Sequence, residues 1–342
     1  MRRSRALAVV AVVAVIAGGA VVAATLRGQG APAARPAPTV SVPAAADGSP
    51  YATAVDAAHA HGLRVWLETD LVKQWLAGPS NFQVAVDKVG ALARRPGVVG
   101  IKYADEMGYD DGLDSVDKIR KFVAQASAAL HRVAPGKQLL IDLLVPELGC
   151  LPDHEPPLRW ATICQARARG DYPALAMDHV DQYLRGGGVD VLDLSTGLQP
   201  DRTYDGWGVD RDEAQRTAWA EVRHRGWDKL VRLQARKALA HSDDYRGAAE
   251  PDLTTWVDVP RSGGAHAIDV WTWRQAYQGK EYRLLDPGLR PNALWTALRA
   301  RRAGGDVLFT HFSPSSVEVG LDADLAVLAQ VFTDVFVAAG TG

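Results

Sequence analysis

Short apolar runs alternate with longer stretches of helical periodicity along most of the chain. Phe82, Val86 and Val89 recur at the spacing of one helical face, whereas runs such as VVGIKYA are short and rich in strand-forming residues. The pattern predicts strands at residues 39–42, 64–69, 98–104, 137–145, 189–195, 230–236, 267–273 and 306–312. It predicts helices at residues 51–61, 81–94, 114–133, 173–185, 211–225, 291–302 and 321–338.

This alternation of strands and helices favours a (β/α)8 TIM barrel that forms a single domain over residues 39–342. The alternative is a doubly wound open sheet. That fold usually carries a glycine-rich phosphate-binding turn after its first strand, and this chain lacks such a turn. Gly186, Gly187 and Gly188 precede a strand and are interpreted as a helix stop.

The predicted strands have one polar parity and one apolar parity. In a barrel, one parity points inward and the other meets the helices. Branched apolar residues fill a purely structural barrel, and buried charges are costly unless they are paired, so the polar parity predicts a functional mouth. The alternative is a solvated rim whose ion pairs only hold the loops. The polar parity consists of Trp66, Glu68, Asp70, Lys102, Glu106, Asp142, Asp193, Ser195, Arg232, Gln234, Arg236, Asp269, Trp271, Trp273 and His311.

One strand runs directly into acidic residues, in the segment VVGIKYADEMGY. Lys102 and Glu106 share a parity, so this strand is expected to point a cation and a carboxylate in the same direction. The segment is therefore interpreted as a candidate active-site wall. The alternative is that Asp105 and Glu106 simply open a polar loop.

Composition and charge restrict the class of protein. The chain has 342 residues, of which 47% are hydrophobic and 23% charged, which is typical of a soluble globular protein with a large core. The formal net charge is −2, and nucleic-acid binders usually carry a clustered basic surplus, so nucleic acid is excluded as a partner.

The N-terminus has the pattern of a targeting segment. MRRSR is followed by an uncharged run at residues 6–26, and we interpret residues 1–26 as a signal peptide or a membrane anchor. Residues 27–38 are rich in Ala and Pro and read as a linker. Positive residues keep the extreme N-terminus inside, so the domain is expected to be secreted or to lie on the extracellular face.

The only two cysteines, Cys150 and Cys164, are close in sequence. In an oxidising compartment such a pair is expected to form a disulfide. The alternative, a metal site, requires more ligands than this segment offers, and no metal or cofactor is predicted.

Carboxylates and tryptophans on one parity suit sugar chemistry. Two carboxylates that flank a glycosidic bond act as acid and as base or nucleophile, while indole faces stack on sugar rings. The strand-end Asp105-Glu106 in GIKYADEMGY, together with the strand GLRVWLETD, resembles the glycoside hydrolase barrels of clan A. The resemblance implies an extracellular glycosidase in which Glu106 is the acid/base, acting on a polysaccharide or glycoconjugate.

Two departures from the clan pattern are visible. In that clan the acid/base follows strand four and a Glu nucleophile lies on strand seven, whereas Glu106 follows the third predicted strand and the seventh offers Asp269. From the residues alone, Asp193 is the preferred second carboxylate, and a retaining or an inverting outcome stays open. A non-catalytic glycan-binding or envelope-associated barrel is the alternative.

The remaining polar side chains are predicted to bind the substrate. The protein is expected to be a monomer, and its only contact with a membrane is expected to be through an N-terminal anchor. Asp142 is also expected to pair with Lys102. The predicted binding residues are Glu68, Asp70, Lys102, Asp142, Arg232, Gln234, Asp269, Trp271, Trp273 and His311.

Two other constellations are set aside. His59 and His61 stand at a predicted helix end, where a cation interacts favourably with the helix dipole, rather than after strand one as in metal-dependent barrels. Ser195 and His311 suggest a hydrolase triad, but no G-x-S-x-G elbow surrounds any serine.

Overall fold

Eight parallel strands form a closed barrel in the computed structural model, which describes residues 48–152 and 159–339. The order around the barrel is β1-β10-β9-β6-β5-β4-β3-β2. The (β/α)8 prediction is therefore confirmed. The barrel strands are β1 (Arg64–Glu68), β2 (Val98–Ala104), β3 (Gln138–Leu144), β4 (Val191–Ser195), β5 (Arg232–Ala238), β6 (Ala267–Trp271), β9 (Leu308–Phe312) and β10 (Asp334–Ala338).

Helices cover the outside of the barrel. They are α1 (Pro50–Ala60), α2 (Leu71–Leu76), α3 (Pro79–Ala93), α4 (Val116–Val133), α5 (Arg159–Asp171), α6 (Met177–Arg185), α7 (Asp201–Trp207), α8 (Arg211–His224), α9 (Trp227–Leu230), α10 (Ala249–Leu253), α11 (Val259–Ser262), α12 (Ala293–Ala303) and α13 (Leu321–Leu328). Short 3-10 turns lie at Leu148–Cys150, Pro173–Leu175 and Pro314–Ser316, and a π turn lies at Thr254–Asp258. Over the described ranges, no helix is both long and apolar enough to cross a bilayer.

The prediction and the structure both have eight barrel strands, but the two sets differ at both ends of the chain. The predicted first strand at 39–42 lies outside the described residues, as do the predicted targeting segment and linker, and the barrel begins with β1. The prediction of one helix over 321–338 is wrong, because α13 ends at Leu328 and the apolar run DVFVA forms β10 between β1 and β9. Glu106 therefore follows the second barrel strand and not the third.

The alternation of side chains divides the core into two parts. Outward residues such as Val65, Ile101 and Leu233 are buried against the helices in the main core. Inward residues at the start of the strands form a separate apolar floor inside the barrel. The floor consists of Trp66, Leu140, Val191, Ala267, Phe309 and Phe336.

Two insertions at the carboxyl ends of the strands shape the mouth. After β6, the chain forms the antiparallel hairpin β7 (Arg274–Tyr277) and β8 (Lys280–Arg283), in a segment for which the sequence predicted no element. After β3, the segment leading to α5 carries a disulfide between Cys150 and Cys164.

Candidate active site at the mouth of the barrel

Lys102 is the central cation of the mouth. It extends inward from β2, its side chain is fully buried, and its Nζ lies 3.0 Å from Glu68 Oε1 and 3.2 Å from Asp142 Oδ2. A third carboxylate, Asp105 Oδ1, lies 2.7 Å away. Burial alone would lower the pKa of Lys102, but these carboxylates outweigh it and hold the pKa well above its usual range. Lys102 is thus a permanent cation that links three strands.

Arg236 is the second buried cation and comes from β5, on the opposite side of Asp142. Its Nη1 donates to Asp142 Oδ2 and, at 3.1 Å, to Glu106 Oε1. Its Nε lies 4.0 Å from Asp269 Oδ2. Asp142 therefore lies between Lys102 and Arg236, as its predicted pairing with Lys102 required.

Glu106 is the carboxyl group of this network that combines contact with Arg236 and partial exposure to solvent. Its side chain is 14% exposed, and its backbone has φ of 45°, a left-handed conformation that is costly for a non-glycine residue. Burial raises the pKa of Glu106 to about 8; Arg236 opposes the rise, while Asp142 and Asp105 add to it. The carboxyl group therefore keeps its proton near neutral pH, beside a guanidinium group that can stabilise the anion when the proton leaves.

A second group of ion pairs is centred on His311 of β9. Its Nδ1 lies 2.8 Å from Glu68 Oε1 and its Nε2 lies 2.8 Å from Asp269 Oδ2. Burial opposes a charge on the ring, but the two carboxylates raise the pKa of His311 to about 9. Although burial acts in the opposite direction, His311 in turn lowers the pKa values of Glu68 and Asp269 to about 2. His311 is therefore an imidazolium held between two carboxylates.

Asp193 lies deeper in the barrel, beside Asp142 on β3 and Gln234 on β5 in the strand register. Both of its carboxyl oxygens are buried and have no hydrogen-bond partner among the described residues, and the same holds for the amide of Gln234. Burial, reinforced by Asp269 and Asp142, raises the pKa of Asp193 well above its usual range. This burial favours the neutral form of Asp193, and its role as the second carboxylate remains a prediction.

The pKa shifts divide the six carboxyl groups of the mouth into two equal sets. The pKa is lowered in three of them and raised in the other three, although Asp142, which contacts both Lys102 and Arg236 and has a pKa of about 6, is still mostly ionised at pH 7. Four carboxylates then face three cations, so the mouth carries one excess negative charge and offers no general attraction to anions. The lowered set is Glu68, Asp105 and Asp269, and the raised set is Glu106, Asp142 and Asp193.

A cavity of about 420 Å³ opens beside Glu68 and His311. The hairpin contributes Arg274, Gln275 and Glu281 to its wall, and the turn after β9 contributes serine hydroxyls. Arg274 donates to Glu281 and to the carbonyl of Val317, so the wall is preorganised. The volume and the mixed polar lining suit a small polar molecule.

Several predicted site residues lie elsewhere in the structure. Arg232 begins β5 and is exposed at the opposite end of the barrel from the mouth. Trp273 is packed in the helical layer, where its Nε1 donates to Asp324 Oδ2 over 3.2 Å. Its predicted inward direction is wrong because β6 ends at Trp271 and the alternation of the strand is lost there.

Two further predicted site residues lie at the border of the mouth, but their side chains contact neighbouring elements of the fold. Trp271 is buried under the hairpin, where its Nε1 donates to Gln275 Oε1 over 3.1 Å. Asp70 is the N-cap of α2 and accepts from the backbone N–H of Val72. Both positions therefore have structural roles that strand parity alone does not reveal.

Some residues of the mouth were not predicted. The register of β2 against β3 shifts between Lys102 and Ala104, and this irregularity brings Asp105 as well as Glu106 toward the centre. No element was predicted for the hairpin residues around the cavity. Within the described ranges, no group of three or more His, Cys, Asp or Glu side chains has the geometry of a metal site.

Comparisons with known proteins show only distant similarity in overall shape. No family model matches the chain, and no curated protein matches it. A solved 2,3-dimethylmalate lyase of the PEP mutase/isocitrate lyase superfamily has 10% identity and a TM-score of 0.41, over 85% of this chain and 80% of the lyase. The carboxyl transferase domain of Rhizobium etli pyruvate carboxylase, solved with pyruvate and biocytin, has 16% identity and a TM-score of 0.42, over 90% of this chain and 46% of that one.

The predicted resemblance to clan A glycoside hydrolases is wrong. The similar structures are lyase and carboxyl transferase barrels and not glycoside hydrolases. The geometry also departs from that clan, because Glu106 follows the second barrel strand and the seventh, β9, carries His311 in place of a Glu nucleophile. Three predictions that depended on this resemblance are therefore also wrong: glycosidase activity, the glycan-binding alternative and a carbohydrate substrate.

Proposed function

We propose that the protein is an acid–base enzyme in which Glu106 exchanges a proton with a small polar substrate at the mouth of the barrel. The observation that carries the proposal is the partly exposed carboxyl group of Glu106, which lies 3.1 Å from Nη1 of Arg236 and whose pKa is raised by burial to about 8. A pKa near the working pH is the property that a proton-transfer catalyst needs, because both protonation states are then accessible. The left-handed backbone at Glu106 is a cost that functional sites often carry.

The neighbouring charges support this role by fixing the proton on Glu106. Asp105 and Asp142 are held near cations, so they disfavour a further negative charge on Glu106 and leave its carboxyl group as the removable proton. When the proton leaves, Arg236 at 3.1 Å is already oriented toward the anion. A preorganised cation of this kind stabilises the charge without reorganisation during the reaction.

The substrate that fits this mouth is small, polar and not anionic. The excess negative charge disfavours anions, and the cavity beside Glu68 and His311 accepts a molecule of limited size. Glu106 does not line this cavity, so the reacting end of the substrate extends beyond it toward Glu106. The hydroxyl groups of Ser313 and Ser315 and the amide of Gln275 border that cavity and are suited to fixing hydrogen-bonding groups of the substrate.

We also propose that the enzyme works outside the cytoplasm. The disulfide between Cys150 and Cys164 supports an oxidising compartment, and the sequence of residues 1–26 has the pattern of an export signal or anchor.

The proposal is tested by following the proton directly and then by turnover. Carboxyl ¹³C chemical shifts of glutamate-labelled protein should show one group that titrates near pH 8 and is absent in Glu106→Gln. A library of small neutral and cationic metabolites is then screened by thermal shift, and hits are incubated in D₂O and analysed by mass spectrometry. The wild type should convert or deuterate at least one hit, and Glu106→Gln should lose about 10²-fold or more of that rate.

Glu250→Gln is the matched control, since Glu250 is an exposed partner of Arg301 and lies outside the network. It should retain the full rate. A wild-type titration of Glu106 near its ordinary range, or equal rates for wild type and Glu106→Gln, would remove Glu106 from the mechanism. Binding without turnover in both proteins would indicate a ligand-binding barrel instead of an enzyme.

A further inference from the structure

Lys237 is a lysine near the carboxyl end of β5 that lies outside the network of the mouth. It follows Arg236 and has the opposite parity, so it points into the helical layer while Arg236 points into the barrel. Its Nζ lies 4.0 Å from the ring centroid of Trp256, and within the described residues it makes no ion pair and no hydrogen bond. A half-buried amine in this setting lacks the anionic partner that normally keeps a lysine charged.

The missing partner is explained by Arg211, which occupies both nearby carboxylates. Arg211 lies 3.3 Å from Asp201 and 3.3 Å from Asp252, and its guanidinium lies 5.5 Å from the same Trp256 ring. Burial, followed by the charge of Arg211, lowers the pKa of Lys237 to about 8, while Asp252 and Asp201 act weakly in the opposite direction. Lysines that are desolvated next to another cation become nucleophiles at neutral pH.

We propose that Lys237 is a nucleophilic amine that adds covalently to the carbonyl carbon of a small aldehyde or ketone. The Nζ lone pair forms the new C–N bond, and the carbonyl oxygen takes up the displaced electron pair. Two protons then leave the nitrogen and combine with that oxygen, which departs as water, so that an imine remains. No oxidant or further reactant is required.

This inference is independent of the proposed function, because it uses neither Glu106 nor the mouth. The Trp256 face and the alkyl parts of the surrounding side chains exclude water from one side of the amine. Arg211 lies over the same Trp256 ring and is held there by its ion pairs with Asp201 and Asp252. The site therefore combines a fixed cation with an amine that has a larger neutral fraction at neutral pH than an ordinary lysine.

The test is competitive labelling of the intact chain with a trace of acetaldehyde and cyanoborohydride, followed by peptide mass spectrometry. Each pKa unit below the usual lysine value of about 10.4 gives tenfold more neutral amine, so Lys237 should label at least about tenfold faster than exposed Lys229 at pH 7.5. The rate of Lys237 should rise with a midpoint near pH 8.

Two variants separate this proposal from a purely structural cation–π contact. Arg211→Gln frees Asp201 and Asp252 for Lys237 and removes the competing cation, so the labelling of Lys237 should fall about tenfold while Lys229 is unchanged. Lys237→Arg should abolish the fast-reacting peptide and confirm its assignment. Labelling of Lys237 no faster than Lys229, or a rate unaffected by Arg211→Gln in a folded protein, would overturn the proposal.

Discussion

At the scale of single residues, the mouth depends on charges that are buried together. Lys102 and Arg236 would each be costly to bury alone, but every one of their short contacts is to a carboxylate. Removing one member leaves the others unpaired, so these residues control the protonation of their neighbours as well as their own. The same coupling makes the stability of the protein depend on pH.

His311 provides the clearest pH dependence. Its pKa is raised to about 9, so its ion pairs contribute fully below the unfolded value of about 6.5 and are lost as the pH rises through 9. Glu68 and Asp269 have pKa values lowered to about 2, so their contribution is present above about 4.5 and is lost as the pH falls through 2. We expect His311→Gln to destabilise the protein most between pH 4.5 and 6.5, and the difference to shrink by about 1–3 kcal/mol by pH 9.

Urea unfolding of wild type and His311→Gln at pH 5.5 and pH 9 measures this difference. Exposed His131 on α4 offers the control, and His131→Gln should change stability by less than about 0.5 kcal/mol at both values. A His311→Gln effect of the same size at both pH values would contradict the assigned ion pairs.

Strand alternation predicted part of the mouth at residue level, and its failures have local causes. It placed Lys102, Asp142 and His311 inward, where the structure has them. It misplaced Trp273, because the alternation of β6 ends two residues earlier. It omitted Asp105, because a register shift in β2 is an interaction with β3 that a single strand does not encode. The catalytic role of Glu106 remains a prediction.

At the scale of elements, regular strands and helices were predictable because their apolar periodicity is local. The bounds of β2, Val98–Ala104, agree with the predicted strand, and α1, α3 and α8 lie close to their predicted ranges. The eighth strand was hidden because DVFVA directly follows a helix and is continuously apolar, which periodicity cannot distinguish from a buried helix. The hairpin was missed because its strands are short and polar.

The loop between β3 and α5 carries the second prediction. Cys150 and Cys164 are separated by 14 positions, and closing a loop of this length restricts the unfolded chain by about 3 kcal/mol. The double variant Cys150→Ser/Cys164→Ser should therefore lower the free energy of unfolding by about 2–4 kcal/mol. Urea unfolding with and without a reducing agent tests it, since reduction should weaken the wild type and leave the variant unchanged. Identical curves for all four samples would show that the bond contributes nothing.

At the scale of the whole molecule, the barrel is closed at one end and polar at the other. Trp66 completes the apolar floor, and its Nε1 donates to the buried carboxylate of Asp334 over 3.0 Å. Phe336, a member of this floor, also contacts the charged layer, because its ring centroid lies 4.9 Å from that of His311. The apolar packing of the floor and the ion pairs of the mouth therefore stabilise two adjacent layers inside the barrel.

Gly100 tests the packing of the floor. A Cβ at this position would lie 2.3 Å from the Trp66 ring and 2.9 Å from the carbonyl oxygen of Gln138, so neither neighbour leaves room. We expect Gly100→Ala to destabilise the protein by about 1–3 kcal/mol through overpacking.

Gly206 in α7 is the matched control, because its added Cβ meets nothing within 4 Å. Gly206→Ala should be neutral or stabilise the helix by about 0.5–1 kcal/mol. Thermal unfolding of both variants distinguishes the two sites, and a Gly100→Ala protein as stable as wild type would mean that the floor is loosely packed.

Among the residues that the structure describes, the apolar floor fills the interior opposite the mouth, so the mouth is the opening through which a substrate enters. Whatever enters past the hairpin must leave by the same route, so an incoming molecule and a departing one exclude each other. Product release therefore has to precede the binding of the next substrate molecule. A compound that stays bound at the mouth competes directly with that substrate.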